Sequence, residues 1–509
     1  MIINILDYLE NSAKKFPDKT VFAEQNKSIS YSLLVDKAKR IGTKILDETG
    51  NLKRKPIIVF VDRNIESLVV FIGVAYSGNF YVPIDRSMPK MRIDLILKTL
   101  QPVATIILES EVDFAKEIAP DVRTLIYEEA SAYPIDEPRL AAIRKQAIDT
   151  DPLYATFTSG STGIPKGVIT CQRSVIDMTE ALFTTFNFDE HCIFGNQNPF
   201  YFDASIKDIY STLKGGGTMV IIPRSCFTFT GSLAPFLMQN SVNTILWSAA
   251  AIALVANTSA YEFEKPYCLE KVMFSGEVMH NKALNYWRKN LPETLFVNLY
   301  GPTEITSVCS YYIVNRPFGD DEVLPIGESF KNTDIIILNE SNELVKEDES
   351  GELCVRGCCL AMGYYNNPEK TREAFIQNPL NTSFPEIIYR TGDLAKYNQQ
   401  GQIIFLSRKD NQVKHMGQRV ELGEIEIVAN SMEYLDASVC FYDHEKQKIV
   451  LVYQGINADK KYILNGVKDK LPKYMFPNIL IEMKEMPYNL NGKIDRTLIK
   501  TLYRQGEIS

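Results

Sequence analysis

The sequence predicts an α/β protein in which parallel sheets are covered by helices, followed by a smaller strand-rich unit and a compact α+β module. Between residues 56 and 300, short β-rich runs alternate with helical patterns, the arrangement that builds parallel strands joined by crossover helices. From about residue 323 to 406 that alternation gives way to strands separated by turns. Helical periodicity returns after Arg408.

The opening stretch MIINILDYLENSAKKF places Asp7 and Glu10 where a signal peptide keeps an unbroken apolar run, so it predicts an amphipathic helix and disfavours secretion. Strands are predicted at 56–61 (PIIVFV), 103–108 (VATIIL), 218–223 (TMVIIP), 243–247 (NTILW), 271–276 (KVMFSG) and 294–301 (TLFVNLYG). The apolar run from Ile245 to Ala256 is broken by Ser248 and is too short to span a bilayer, so it reads as a buried strand entering a helix. The strand-rich unit contributes 333–339 (TDIIILN) and 351–357 (GELCVRG). In the last region a helix is expected from Glu424 to Met432, strands at 437–443 and 448–453, a helix ending near Leu471, and a strand from Ile479 to Met483.

A chain of 509 residues, 45% of them hydrophobic, buries substantial cores and suggests about two to four domain-sized units. Its net charge of −8 comes without a basic stripe, which argues against a nucleic-acid partner. No membrane-inserting segment is visible. Nine cysteines, scattered and without a CxxC pair, fit a reducing cytosol and a cytoplasmic location. The four histidines, His191, His280, His415 and His444, have no neighbour at metal-ligand spacing, which argues against zinc.

Four segments carry chemistry. TFTSGSTGIPKG, Thr156 to Gly167, alternates hydroxyls with glycines before a lysine. It reads either as a cradle whose N–H groups, hydroxyls and Lys166 share a phosphate's charge, or as a surface loop. The Walker A spacing is absent, which argues against an ordinary P-loop NTPase. NLYGPTE, Asn298 to Glu304, follows an apolar strand, where α/β sheets hold ligands. There Tyr300 suits stacking on a base, Thr303 a phosphate and Glu304 Mg²⁺, although YGP is also a common turn. In YRTGDLA, Tyr389 to Ala395, Asp393 either accepts the two hydroxyls of a ribose or serves a turn. In PYNLNGKIDR, Pro487 to Arg496, Asn491-Gly492 predicts a tight hairpin that projects Lys493, either for chemistry or simply into solvent.

Taken together and in this order, these segments resemble the adenylate-forming superfamily of acyl-CoA synthetases, luciferases and the adenylation domains of non-ribosomal peptide synthetases. The resemblance extends through ISYSLLVDKAKRIG (29–42), YSGNFYVPID (76–85), FDASIKD (202–208), GELCVRG (351–357), SRKDNQVKHMGQRVELGEIE (407–426) and LPKYMFP (471–477). It implies a large N-terminal domain, residues 1–407, built from two parallel-rich sheets and a β-barrel. A small mobile C-terminal domain, residues 408–509, follows. By similarity Thr158, Ser159, Gly160, Ser161, Thr162, Gly163 and Lys166 handle the triphosphate of ATP, Tyr300 flanks adenine, and Asp393 and Arg408 reach the ribose. Gly276, Asn298, Leu299, Gly301, Pro302, Thr303 and Phe405 complete the nucleotide site, Glu304 supports Mg²⁺, Asp410 is the hinge, and Lys493 is the catalytic lysine.

The implied reaction is attack of a carboxylate on the α-phosphorus of ATP, with transfer to the phosphopantetheine thiol of a carrier after rotation about Asp410 has withdrawn Lys493. Asp203 matches the position that pairs with a substrate ammonium, which favours an amino acid; the other reading is a cap on a helix starting at Ala204. The side-chain pocket falls on Asp203, Ala204, Lys207, Leu246, Met273, Ser275, Leu299, Ser307, Val308 and Lys493. With no carrier module after Lys493, the carrier is expected to be a separate protein. The chain looks most similar to D-alanine–D-alanyl carrier protein ligases and stand-alone peptide-synthetase adenylation domains. It departs from the former at Ser275, where they have cysteine, and at Lys207, where they have an apolar residue. Lys207 either meets an acidic substrate side chain or extends past the pocket into solvent. Ser407 also replaces the glycine usual before the arginine. The alternative activity is an acyl-CoA synthetase acting on a small carboxylic acid.

Overall fold

The computed structural model describes residues 2–159, 164–261, 264–320, 322–409, 412–455, 460–488 and 494–509. Its contacts gather into two compact units.

The first unit comprises Met1–Arg86, Leu100–Thr156 and Gly167–Lys409. One of its sheets has seven strands in the order Gly363–Tyr364, Lys166–Cys171, Pro152–Thr158, Phe80–Asp85, Pro56–Val61, Ala104–Ile107, Thr124–Ile126. Pro56–Val61 pairs in parallel with both neighbours, and every one of its residues is buried, as a continuous β-branched run between helix-covered faces requires. A nine-stranded sheet runs Glu328–Ser329, Ser310–Ile313, Leu295–Tyr300, Lys271–Ser275, Thr244–Ser248, Ile193–Asn196, Thr218–Ile221, Thr20–Glu24, Lys27–Ser30. Its central strands are parallel and its ends antiparallel.

Alternation along those parallel strands divides two cores. Ile245, Trp247, Val272, Phe274 and Phe296 pack on one face, and Leu246, Met273, Val297 and Leu299 on the other. The serine that interrupts the apolar run has a specific task. Ser248 ends its strand and caps the helix Ala249–Asn257, its side chain accepting from the amide of Ala251.

The strand-rich region forms a five-stranded antiparallel sheet from Thr333–Leu338, Gly351–Gly357, Ile387–Tyr397, Phe375–Gln377 and Ile403–Arg408. It is an open half-barrel, with register shifts between Glu352 and Cys354 and between Leu394 and Ala395 that bend the ladder.

The second unit comprises Ser87–Thr99, Phe157–Lys166 and Asp410–Ser509. A hairpin of Gln412–His415 with Gln418–Glu421 leads into the helix Leu422–Asn430. Leu435–Asp443, Lys448–Gly455 and Ile479–Glu482 make a three-stranded sheet, and Arg496–Gln505 is the last helix. The helix expected to reach Leu471 ends at Lys468, because Pro472 disfavours helical geometry in the residue before it. Arg496 holds Glu426 through two 2.6 Å hydrogen bonds, and the same carboxylate accepts the amide of Cys440 at 2.6 Å. Arg92 donates to Glu424 as a pair in which both residues are buried. An isolated antiparallel bridge joins Tyr488 to Ile494. The hairpin expected at Asn491-Gly492, together with Lys493, lies outside the described residues.

Candidate active site

The strand Leu295–Tyr300 delivers Tyr300 to its carboxyl end, and Gly301 follows because nothing larger fits. A Cβ there would stand 2.5 Å from the Ser307 carbonyl oxygen and 2.6 Å from Val308 Cα. The Tyr300 hydroxyl donates to Oδ2 of Asp393. Burial first, and the Asp393 charge second, hold that phenol far above its ordinary range, so it stays protonated as a donor. Arg408 Nη1 donates to Oδ1 of the same carboxylate at 2.6 Å. Asp393 and Arg408 are register partners across antiparallel strands. Gly392 precedes Asp393 at φ +73°, and Thr391 Oγ1 accepts the Asp393 amide at 3.0 Å while donating to the Leu353 carbonyl. A carboxylate offers about four lone-pair sites, so after accepting from Tyr300 and Arg408 it retains capacity for the two hydroxyls of a ribose. The residues fit that group.

Glu304 is 1% exposed, lies in the turn Thr303–Ile305, and accepts the Tyr364 hydroxyl at 2.8 Å. Lys166 opens the strand Lys166–Cys171. At the end of the neighbouring strand, Thr158 Oγ1 is buried and has no hydrogen-bond partner among the described residues, a donor that suits an anionic ligand. Ser159 Oγ donates to the Arg419 carbonyl at 3.0 Å. Gly160, Ser161, Thr162 and Gly163 lie outside the described residues, as does Asp410. Among the described residues there is no cluster of three or more His, Cys, Asp or Glu side chains able to hold a metal. Asn298 is engaged by its Nδ2 with the Pro325 carbonyl at 2.8 Å, Gly276 has φ +99°, and Phe405 lies in the strand Ile403–Arg408.

The side-chain pocket positions converge on one face of the nine-stranded sheet. Leu246 is the register partner of Met273, and Met273 of Val297, so Ser275 and Leu299, each two residues further along, point to that same side. Leu246, Met273, Leu299 and Val308 share a core with Ile206 and Tyr210 of the helix Ile206–Gly215, which also carries Lys207. The capping reading of Asp203 is corrected here. The helix starts at Ile206, Asp203 belongs with Ala204 to the preceding turn Asp203–Ser205, and neither turn nor helix receives a side-chain cap.

Lys207 is likewise not an amphipathic arm reaching solvent. It is 1% exposed and donates from Nζ to Ser307 Oγ at 3.0 Å. Three features here escaped the sequence. Thr306 and Ser307 adopt φ +61° and +74° in succession, a costly backbone for non-glycine residues of the kind that clusters at functional sites. Tyr364, the partner of Glu304, is sixty residues away in sequence. The fully buried Asp208 accepts from Asn196 Nδ2 at 2.7 Å, and Asn196 in turn accepts Arg63 at 2.8 Å through its carbonyl. Asp208 stands in the FDASIKD segment, where the aspartate alone was the only available signal.

The model of the AMP-binding enzyme family matches residues 9–365. The chain is 30% identical to bacitracin synthase 1 of Bacillus licheniformis over 96% of its own length and 9% of that protein's. It is 30% identical to tyrocidine synthase 1 of Brevibacillus parabrevis, covering 97% of the chain and 44% of the synthase. The chain thus spans less than half the length of these synthases. With the D-alanine–D-alanyl carrier protein ligase of Bacillus licheniformis it shares 29% identity, over 98% of the chain and 99% of the ligase. Among solved structures, a Vibrio cholerae adenylation domain in complex with glycyl-adenosine-5′-phosphate superposes with a TM-score of 0.83 at 20% identity, over 99% of the chain and 98% of that domain. No helix among the described residues is long and apolar enough to cross a membrane.

Proposed function

The chain belongs to the AMP-binding enzyme family, and from that premise we propose that it activates an amino acid as its acyl-adenylate and passes the acyl group to a carrier thiol. In the first step an oxygen of the substrate carboxylate bonds to the α-phosphorus of ATP, the bond from that phosphorus to its bridging oxygen breaks, and pyrophosphate leaves with the electron pair. In the second, the sulfur of a phosphopantetheine thiolate bonds to the acyl carbon, the bond from that carbon to the phosphate oxygen of the mixed anhydride breaks, and AMP departs with the electron pair.

Asp393 accepts the ribose hydroxyls, oriented by Tyr300 and Arg408. The Thr158 and Ser159 hydroxyls, Lys166 and the glycine-rich residues 160–163 receive the phosphates. Mg²⁺, when bound, would offset charge on the triphosphate oxygens, and Glu304 would hold it. Lys493 steadies the incoming carboxylate, and Asp203 pairs with the substrate ammonium. A boundary at residue 408, with Asp410 as hinge and residues 408–509 as a mobile domain, belongs to the same proposal. So do a separate carrier protein as partner and a cytoplasmic location.

The observation that supports this reading best is the Asp393 carboxylate, buried and oriented from two sides. The test is ATP–pyrophosphate exchange against the proteinogenic amino acids, D-alanine and D-serine. Exchange driven by one or a few of them is the expected result; exchange driven only by acids lacking an amine contradicts it.

A further inference from the structure

We infer that a cleft at the amino ends of the parallel strands Phe80–Asp85 and Pro152–Thr158 binds a small free amino acid, holding its ammonium at Glu10 and its carboxylate at the side-chain amides of Asn4 and Gln172. The cleft lies within the first unit, and none of its lining residues belongs to the nucleotide or side-chain pocket positions. Tyr300 stands at the carboxyl end of its strand, whereas Asn79 and Pro152 stand at the amino ends of theirs. A ligand here therefore occupies a second site, on the side of the sheet edge that α/β enzymes do not use for chemistry.

The cleft has a volume of about 210 Å³. That is below the roughly 300–1,000 Å³ of pockets for drug-sized molecules, so its ligand is small. Glu137 and Ala141 at its rim are exposed, while Asn4, Asn79 and Gln172 are buried. Those three amides are not used alike. Asn79 is fully engaged: its Nδ2 donates to the Leu52 carbonyl at 2.9 Å and to Ser77 Oγ at 3.0 Å, and its Oδ1 accepts the Lys55 amide at 3.0 Å. Gln172, 3% exposed, accepts the Ile5 amide on Oε1 at 3.0 Å, and Asn4, 5% exposed, accepts the Leu6 amide on Oδ1 at 3.0 Å. Those bonds settle which end of each amide is oxygen. The two NH₂ groups then have no acceptor among the described residues, and a buried donor left in that state is costly. Arg144, also in the lining, has a buried Nη1 without an acceptor.

The charged groups of the lining are paired with one exception. Lys39 meets Glu137 at 2.8 Å, Arg54 meets Asp151 at 2.5 Å, and Arg144 meets Asp7. Glu10, half-buried on the helix Leu6–Lys15, makes no ion pair among the described residues, and its one hydrogen bond is from the Tyr76 hydroxyl to Oε1 at 2.9 Å. Burial first and the Glu10 charge second hold the Tyr76 phenol far above its ordinary range, so it stays a donor; the charges of Arg144 and Glu137 reach it too, which gathers these groups around one space. The cleft thus offers unmet N–H donors together with a carboxylate oxygen, Oε2, that lacks a donor. An α-amino acid answers both, its carboxylate accepting from the amides and its ammonium donating to Glu10 in charge-assisted hydrogen bonds. A plain carboxylate satisfies only the amides, and a plain amine only Glu10.

The test is calorimetric titration of the full chain, without ATP, with glycine, L-alanine, D-alanine and L-serine, and with acetate and methylammonium as the two halves of the ligand. It is repeated on Gln172→Glu, which keeps an acceptor for the Ile5 amide but replaces the donor by an oxygen that repels a carboxylate, and on Glu10→Gln. At least one amino acid is expected to bind about tenfold or more tightly than either half, and each variant should weaken it at least about tenfold. The KM for the amino acid in ATP–pyrophosphate exchange should not move in either variant. Should Gln172→Glu not fold, Asn4→Asp makes the same exchange of donor for acceptor while sparing the Leu6 bond. Affinity that survives the variants unchanged, acetate binding as tightly as the amino acids, or no binding at all each overturns the inference. Titration needs no turnover, so its failure and that of the proposed adenylation are read separately.

Discussion

Arg408 donates from Nη1 to Oδ1 of Asp393 at 2.6 Å, and the two residues face one another across paired antiparallel strands. With Tyr300 on the other oxygen, the carboxylate is fixed before any ligand arrives, so binding a ribose needs little further ordering. Asp393→Asn keeps the shape but loses the charge that makes these hydrogen bonds strong. The KM for ATP should rise by about one to two orders of magnitude with little change in the KM for the amino acid. Steady-state kinetics with each substrate varied in turn checks this, and an unchanged KM for ATP contradicts the ribose assignment.

Lys493→Ala separates chemistry from binding. A lysine that meets the carboxylate only as charge develops should contribute to turnover and little to nucleotide affinity. Adenylation should fall by about 10²- to 10³-fold, while ATP binding by equilibrium dialysis stays within a few fold. Unchanged pyrophosphate release by this variant would falsify the assignment.

Asp208 gives a prediction about stability and pH. Burial, outweighing its hydrogen bond from Asn196 and the charges of Lys207 and Arg63, raises its carboxyl from 3.8 to about 7. The native state therefore holds a proton that the unfolded chain releases near pH 4. Stability is fully present below that pH and is lost as pH rises toward about 7. Across the two units from pH 5 to pH 7 this amounts to at most about 3 kcal/mol. Asp208→Asn cannot release the proton, so its stability relative to wild type should improve by up to that amount over the same interval. Thermal melting of both proteins at pH 5 and pH 7 supplies the comparison, and parallel shifts would rule out the linkage.

Local pattern and tertiary placement were legible to different degrees. PIIVFV and GELCVRG are strands over their whole length because an unbroken β-branched run, or glycine-bounded alternation, admits little else. The Tyr300, Asp393 and Arg408 cluster was legible only through family resemblance, since its members meet across sheets. Lys207 defeated sequence reasoning for a related reason. Whether a lysine stem runs out to water or ends beside Ser307 depends on a residue one hundred positions away. The left-handed pair Thr306 and Ser307 had no signal at all, because glycine or asparagine is what normally announces that conformation.

Asp203 distinguishes an amino acid from other carboxylic acids. Its turn lies outside the regular helix, and neither turn nor helix receives a side-chain cap. The charge nonetheless reaches inward, because Tyr154, fully buried in the other large sheet, has its phenol held far above the ordinary range by burial first and by Asp203 second. If this carboxylate pairs with a substrate ammonium in the largely apolar pocket, Asp203→Ala removes the partner of a desolvated charge. The kcat/KM for the amino acid should then drop by about 10²- to 10³-fold at an unchanged KM for ATP. A substrate without an amine has nothing to lose at that position, and full activity in the variant would identify an acyl-CoA synthetase type of reaction.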